Sequence, residues 1–339
     1  MFCDEVIAMF RYMNSMPRKL PGSFIPDVIA EAEKFELDDR VCAAAGEIAS
    51  GPPSAQLEII NNTRLPYPIT WIEFNDAPRK DAYRRCGVPV IGDNHPTRVG
   101  ILFVENGKRT DRDWFVAMMV FWRSPASDPA NAIEMKKTLG FMPLDYSPMM
   151  LGITNDEDPR CVEAAEELIR INMGPVGSFV KYAGSQKERE ILPHYMARAT
   201  ITRFEDAFTT GHFDENMAAS LTNDVVAEYS FGPAAIMLIN STKATARQFE
   251  DMTKLNRSRE KAGKAPLSSY TRVSLIGRDA SGPQYAFGGD RNPARAHTVR
   301  GHFKRLFDAE GEMRLAWWSP HVRGGAIAGT RRPGYKVKA

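Results

Sequence analysis

Between His297 and Arg323 the chain spaces its residues so that a β-hairpin would gather one histidine, one tryptophan and several basic side chains on one face. Read as a strand, 297–304 turns His297, Val299, Gly301 and Phe303 to one side and Thr298, Arg300, His302 and Lys304 to the other, because successive strand side chains alternate. Residues 313–318 divide the same way, into Met313, Leu315 and Trp317 against Arg314, Ala316 and Trp318. Asp308-Ala309-Glu310-Gly311 between them has the chemistry of a type I turn closed by a glycine bulge. A register that keeps apolar against apolar sets Val299 and Phe303 across from Leu315 and Trp317. The opposite face then carries Arg300, His302, Lys304, Arg314 and Trp318. Such a face suits nucleic acid: phosphates pair with Arg and Lys, and a base stacks on an indole for about 1–3 kcal/mol. Arg257 and Arg259 just before the hairpin and Arg323 just after it extend the positive surface.

The same residues admit a catalytic reading. His302 and His321 could act as general acid and base on a phosphate clamped by Arg300 and Arg323. His297 and His302 fall on opposite faces of one strand, since five positions is an odd step, so they do not form a two-histidine site together. No metal is expected, because the nearest acidic residue before His302 is Asp290, in a separate loop. A plainer alternative remains open: a solvated basic face with Trp318 packed under a loop.

Elsewhere the chemistry-bearing motifs are missing. There is no G-x-x-x-x-G-K-[ST] phosphate loop, no G-x-G-x-x-G, no G-x-S-x-G elbow and no H-E-x-x-H. Cofactors are therefore not expected. Cys3, Cys42, Cys86 and Cys161 show no C-x-x-C spacing, which argues against a zinc site or a disulfide framework. Asp93-Asn94-His95 reads as an Asx turn, Gly288-Gly289-Asp290 as a loop device, and Met142, Met149 and Met150 as gap-fillers.

Stepping the charge along the chain exposes an asymmetry that the total of +2 hides. Residues 241–339 hold 20 Lys and Arg against 8 Asp and Glu, a balance of +12, which leaves 24 against 34, or −10, in 1–240. The basic stretch would attract polyanions, or it would fold against the acidic body as internal complementarity. At 43% hydrophobic and 25% charged residues, the 339-residue chain has the composition of a globular protein with a sizeable core. Asp4 and Glu5 stand where a signal peptide has Lys or Arg, so secretion is not expected. The longest apolar run, 114–122, is far short of the about 20 residues that span a bilayer.

Helical spacing predicts helices over 3–14, 26–37, 159–172, 214–229, 233–239 and 244–262, the last ending at Gly263. Strands are expected at 56–60, 69–74, 99–105, 114–122, 270–276, 297–306 and 313–318, with a short one near 335–338. Residues 86–97 read as a turn-rich connection and 123–150 as a long irregular excursion. Helices and strands do not alternate regularly, so the expected class is α+β, with a mixed or antiparallel sheet, flanking helices and a basic C-terminal hairpin region. The expected organisation is an acidic body, 1–240, with a basic region, 241–339, packed on it.

The run Leu255-Asn256-Arg257-Ser258-Arg259-Glu260-Lys261-Ala262-Gly263-Lys264-Ala265-Pro266-Leu267, followed by His297-Thr298-Val299-Arg300-Gly301-His302-Phe303-Lys304-Arg305, resembles a group of tailed-phage and prophage proteins. Trp318-Ser319-Pro320-His321-Val322-Arg323-Gly324 extends the likeness, which covers about the last 85 residues. The resemblance implies a viral origin, with the protein in the host cytoplasm or the virion. It implies no catalytic residue. The leading expectation is a phage accessory protein that binds nucleic acid through its basic and aromatic C-terminal face. A virion or host-interaction protein, docking a partner through its acidic body, and a His-dependent phosphodiesterase remain alternatives.

Overall fold

A computed structural model of the chain describes residues 1–16, 23–88, 97–106, 115–123, 129–141, 144–152, 159–171, 182, 184–197, 199–200, 215–276, 295–299, 302–307, 313–318, 321–323 and 325–330. The order of elements begins α1 (Phe2–Asn14), α2 (Ile25–Glu31), β1 (Glu33–Leu37), α3 (Asp39–Ala49), α4 (Pro53–Asn62), β2 (Ile69–Asn75) and α5 (Ala77–Arg85). It continues with β3 (Arg98–Asn106), β4 (Phe115–Arg123), α6 (Pro129–Leu139), β5 (Asp145–Gly152), α7 (Pro159–Ile171), α8 (Gln186–Ala197), β6 (Ala199–Thr200) and α9 (Glu215–Asn240). The last third holds β7 (Thr245–Glu250), α10 (Thr253–Lys261), β8 (Tyr270–Leu275), β9 (Arg295–Val299), β10 (His302–Phe307), β11 (Met313–Trp318), β12 (His321–Arg323) and β13 (Gly325–Thr330).

Eight strands form one sheet in the order β6-β5-β4-β3-β2-β1-β8-β7. β1 pairs in parallel with both β2 and β8, and the remaining neighbours are antiparallel. The sheet is thus mixed, and the fold is α+β. Parallel β1 and β2 require a crossover, which α3 and α4 supply. Alternation divides each central strand between two cores. Trp71, Leu102 and Phe121 pack with Phe2, Val6 and Phe10 of α1 and Ile25 and Ile29 of α2. On the other face Ile72, Phe74, Ile101 and Val120 pack with Val41 and Ala45 of α3 and with Phe231, Ala235 and Leu238 of α9.

Local chemistry sets several boundaries. Asp38 caps α3 by accepting the Val41 N–H at 2.7 Å, and prolines occupy the first turns of α4 and α5. At Gly100 a Cβ would collide with the Trp71 indole, so only glycine lets β3 cross that ring.

Several sequence expectations are corrected. Residues 56–60 lie in α4, not a strand: Gln56, Ile59 and Ile60 are buried at helical spacing. The helix expected over 26–37 stops at Glu31, after which Phe35 and Leu37 alternate into the core of β1 between two parallel partners. Residues 244–262 are not one helix. Antiparallel pairing with β8 claims 245–250 as a strand, overriding the helical spacing, and only 253–261 is helical before Gly263 takes a φ of 64°. The helices expected at 214–229 and 233–239 are one, α9, with Pro233 inside it. Residues 123–150 contain α6 and β5 rather than an irregular run. α3, α5 and α8 had no counterpart in the sequence reading. The expected strand at 335–338, the turn at 308–311, Asp93–His95 and 288–290 lie outside the described residues.

The tight passage of β3 over Trp71 yields a test. Gly100→Ala is expected to lower stability by about 1–3 kcal/mol, the usual cost of overpacking a rigid core. Equilibrium denaturation in urea would read this as a lower midpoint with an unchanged slope.

Candidate functional site

The hairpin of β10 and β11 is antiparallel, with His302 opposite Trp318, Phe303 opposite Trp317, Lys304 opposite Ala316 and Leu306 opposite Arg314. By register, His302, Lys304 and Leu306 share one face with Arg314, Ala316 and Trp318, and Phe303, Arg305 and Phe307 share the other with Met313, Leu315 and Trp317. Lys304 is exposed, and β11 lies against α9 and α4.

The expected single strand 297–304 is instead two strands in separate sheets, with 300–301 outside the described residues between them. Val299 therefore pairs with His321 of β12 rather than with β11, and Arg323 pairs with His297. His302 and His321 belong to different sheets. Arg300 is outside the described residues. On α10, which buries no side chain, Arg257 is exposed while Arg259 is half-buried and its Nε donates to the Ala265 carbonyl at 2.8 Å.

A second polar cluster, absent from the sequence reading, crosses the sheet from β8 to β3. Glu73 on β2 is fully buried. It accepts the N–H groups of Phe2 (3.0 Å) and Cys3 (3.1 Å) at the start of α1, and Nε1–H of Trp71 at 3.0 Å. Arg98 donates to Glu73 at 2.6 Å, to Glu36 at 2.7 Å and to Asn75 at 2.9 Å. Arg272 donates to the second oxygen of Glu36 through Nε and Nη2, both at 3.2 Å. Burial pushes the Glu36 carboxyl up, but the hydrogen bonds and charges of Arg98 and Arg272 outweigh it and hold the group below the ordinary range. Glu36, Asn75, Arg98 and Arg272 line a shallow cleft of about 390 Å³ with Asp38, Asp39 and Arg40. Because Arg98 and Arg272 are held by carboxylates, the lattice is a fixed array of compensated charge and not an acid–base pair.

A third cluster joins α5 to α9 on the opposite face. Buried Arg79 contacts Asp76 at 2.5 Å and Glu228 at 2.7 Å, Lys80 reaches Asp76 at 3.1 Å, and the Trp122 indole donates to Glu228 at 3.2 Å. The Arg79 guanidinium lies 5.4 Å from the Phe74 ring centre and 5.3 Å from that of Phe231. Burial pushes Glu228 upward against the opposing pull of Arg79. Next to this cluster the Cys42 thiol is pushed up to about 12, chiefly by burial, and donates to the Asn75 carbonyl at 3.2 Å. A thiol so protonated is no nucleophile at neutral pH.

A signal for one of these groups was present in the sequence. Glu73 sits between Ile72 and Phe74 and places a carboxylate inside an apolar strand, which demands a cation, whereas Glu36 falls on the polar side of the alternating run 33–37 and announces nothing. Which cation answers depends on strand order, which spacing does not reveal. Among the described residues no group of three His, Cys, Asp or Glu could hold a metal ion, and no helix is long and apolar enough to cross a membrane.

Two outcomes follow from the ion clusters. Arg79→Met leaves buried Glu228 without a cation and Asp76 with Lys80 alone, and is expected to cost about 3–5 kcal/mol, part of which returns in the double variant with Glu228→Gln, as a denaturation double-mutant cycle would read. For Glu36, whose folded carboxyl lies below its ordinary value of 4.5, the stabilisation is present above pH 4.5 and disappears as pH falls through the lowered value. The melting-temperature gap between the natural protein and Glu36→Gln should therefore narrow steadily on acidification below that pH. The chain matches no known family, curated protein or solved structure.

Proposed function

We propose that the protein binds nucleic acid through its C-terminal region, with the β10–β11 hairpin as the contact face. One observation carries the reading: the register that sets His302 opposite Trp318 also puts Lys304 and Arg314 on the same face. An indole beside cations offers a base a stacking platform and its phosphates a positive track. The packing of β11 against α9 and α4 favours use of the outer face of the hairpin for a ligand. Exposed Lys254, Arg257 and Lys261 on α10 add positive surface, and the balance of 20 basic against 8 acidic side chains in 241–339 supplies long-range attraction. A tailed-phage or prophage origin, which the runs 255–267 and 297–305 lead one to expect, would suit an accessory protein acting on a genome. His302 belongs to the proposed surface with Lys304, Arg314 and Trp318, while Arg323 lies on β12 of the separate sheet and Arg300 lies outside the described residues. Arg259 contributes less, because Ala265 already engages its guanidinium.

Fluorescence anisotropy with labelled single-stranded and duplex oligonucleotides, across a salt series, tests the proposal. Affinity should fall linearly in log–log with salt. Lys304→Ala and Arg314→Ala should each reduce that slope by about 1, and Trp318→Ala should weaken single-strand binding by roughly 5- to 100-fold. Unchanged affinity and slope in the triple variant would remove the hairpin from the interface.

A further inference from the structure

The eight-stranded sheet ends on β7, and its outer edge is uncovered among the described residues: Ala246, Arg247, Gln248 and Phe249 are all exposed, Phe249 to 63%. Natural edges are commonly blunted by proline, bulges or covering loops. This edge has neither proline nor bulge, and its register with β8 runs unbroken from Thr245 to Glu250. It is a straight, open template.

Backbone geometry fixes which groups it offers. The Ile276 N–H donates to the Ala244 carbonyl at 2.9 Å, one step beyond the Thr245–Leu275 pair, so Ala244 and Ile276 are a hydrogen-bonded pair. Hydrogen-bonded pairs recur every second residue in an antiparallel ladder, so 246, 248 and 250 turn their N–H and C=O groups toward β8. Arg247 and Phe249 therefore turn theirs outward. The Thr245 N–H is already engaged by the Ser241 carbonyl at 3.0 Å.

We propose that β7 pairs antiparallel with β7 of a second copy of this chain, about a two-fold axis through Gln248. A two-fold axis normal to the sheet keeps the same face uppermost in both copies, so one residue must face its own counterpart. Centring on Gln248 sets Arg247 opposite Phe249 of the second copy, twice. Both are outward-turned residues, and the two pairs exchange four N–H···O bonds. On the shared face the exposed Phe249 ring of each copy meets the aliphatic stem of the other's Arg247. The Arg247 guanidinium itself turns inward from the edge, its Nη2 donating to the Ile239 carbonyl at 2.6 Å and its carbon 5.8 Å from the centre of the Phe35 ring of β1. Gln248 meets Gln248, two amides that can bond each other. Centring on Arg247 instead pairs Phe249 with Thr245, whose N–H the Ser241 carbonyl already engages. Centring on Phe249 needs Asp251 as a strand residue, but its carboxylate is bound to the Thr253 N–H and hydroxyl at the start of α10. Gln248 is the register the edge supports, and it joins the two sheets into one.

Sedimentation velocity on the full chain at tens of micromolar should show a dimer, and a monomer across that range would overturn the proposal. Phe249→Pro removes an outward N–H that the monomer does not use, so it should give a monomer with an unchanged melting profile. A dimer persisting in a folded Phe249→Pro variant would place the interface elsewhere and overturn the assignment. Gln248→Cys, oxidised beside the natural protein as control, should form an intermolecular disulfide, since opposed non-hydrogen-bonded strand residues have Cβ atoms about 4.5–5.5 Å apart. Failure to cross-link in a dimeric Gln248→Cys variant would overturn the register.

Discussion

A carboxylate without solvent exposure in the middle of a β-sheet is among the most costly groups a protein can bury, and Glu73 is such a group. Its position is tolerable only because four donors from three elements converge on it: two backbone N–H groups of α1, the Trp71 indole and the Arg98 guanidinium. Each donor fixes something larger. The α1 contacts satisfy N–H groups that a helix start leaves without partners, and they set α1 on the sheet in one orientation. The indole bond holds the Trp71 ring flat over Gly100, which explains why β3 carries glycine there. Arg98 ties β3 to β2 and, through Glu36 and Arg272, to β1 and β8. Slipping any of these strands by one residue would move a charge into the opposite core, so the lattice specifies register as well as contact.

The Arg79 cluster does the same work on the other face. It joins α5 to α9 and to β4 through charges that are buried yet mutually compensated. Both clusters stand near the end of β2, where Asn75 leads directly into Asp76. Within the main sheet, then, ionisable groups are chiefly architectural. A buried pair of this kind contributes little net stability against an apolar isostere, but loss of one partner is severe. The prominence of charge around β2 consequently argues for specificity of fold.

How much of this was legible depends on range. Strands β2, β3, β4, β8 and β11 are read from their own residues, because continuous apolar runs or clean alternation leave little choice. So are α1 and α7. Failures cluster where the decision is made by a distant partner. Thr245–Glu250 has a helix-compatible spacing, and only β8 turns it into a strand. Glu33–Leu37 looked like the tail of a helix until two parallel neighbours claimed it. For α4 the error was local: five residues of apparent alternation outweighed a proline at the first turn. The hairpin shows both sides. That Phe303 shares a face with Leu315 and Trp317 follows from apolar matching alone, whereas its exact partner and the break between β9 and β10 depend on a separate sheet that the hairpin's own residues do not announce.

The charge split of the chain also looks different against the fold. The basic stretch does not begin where the sheet ends, because β7 and β8 lie beyond residue 240 and belong to the main sheet. Several of its cations are consequently engaged within the protein: Arg247 by the Ile239 carbonyl, Arg259 by the Ala265 carbonyl, and Arg272 by Glu36 and Glu250. Others, including Lys254, Arg257 and Lys261, stand exposed on a helix with no buried face. The formal +12 therefore overstates what a polyanion could neutralise, and a salt slope would report a smaller number set by α10 and the hairpin. Internal complementarity accounts for Arg272, which Glu36 and Glu250 hold, while the cations left exposed on α10 are the part of the balance that stays open to solvent.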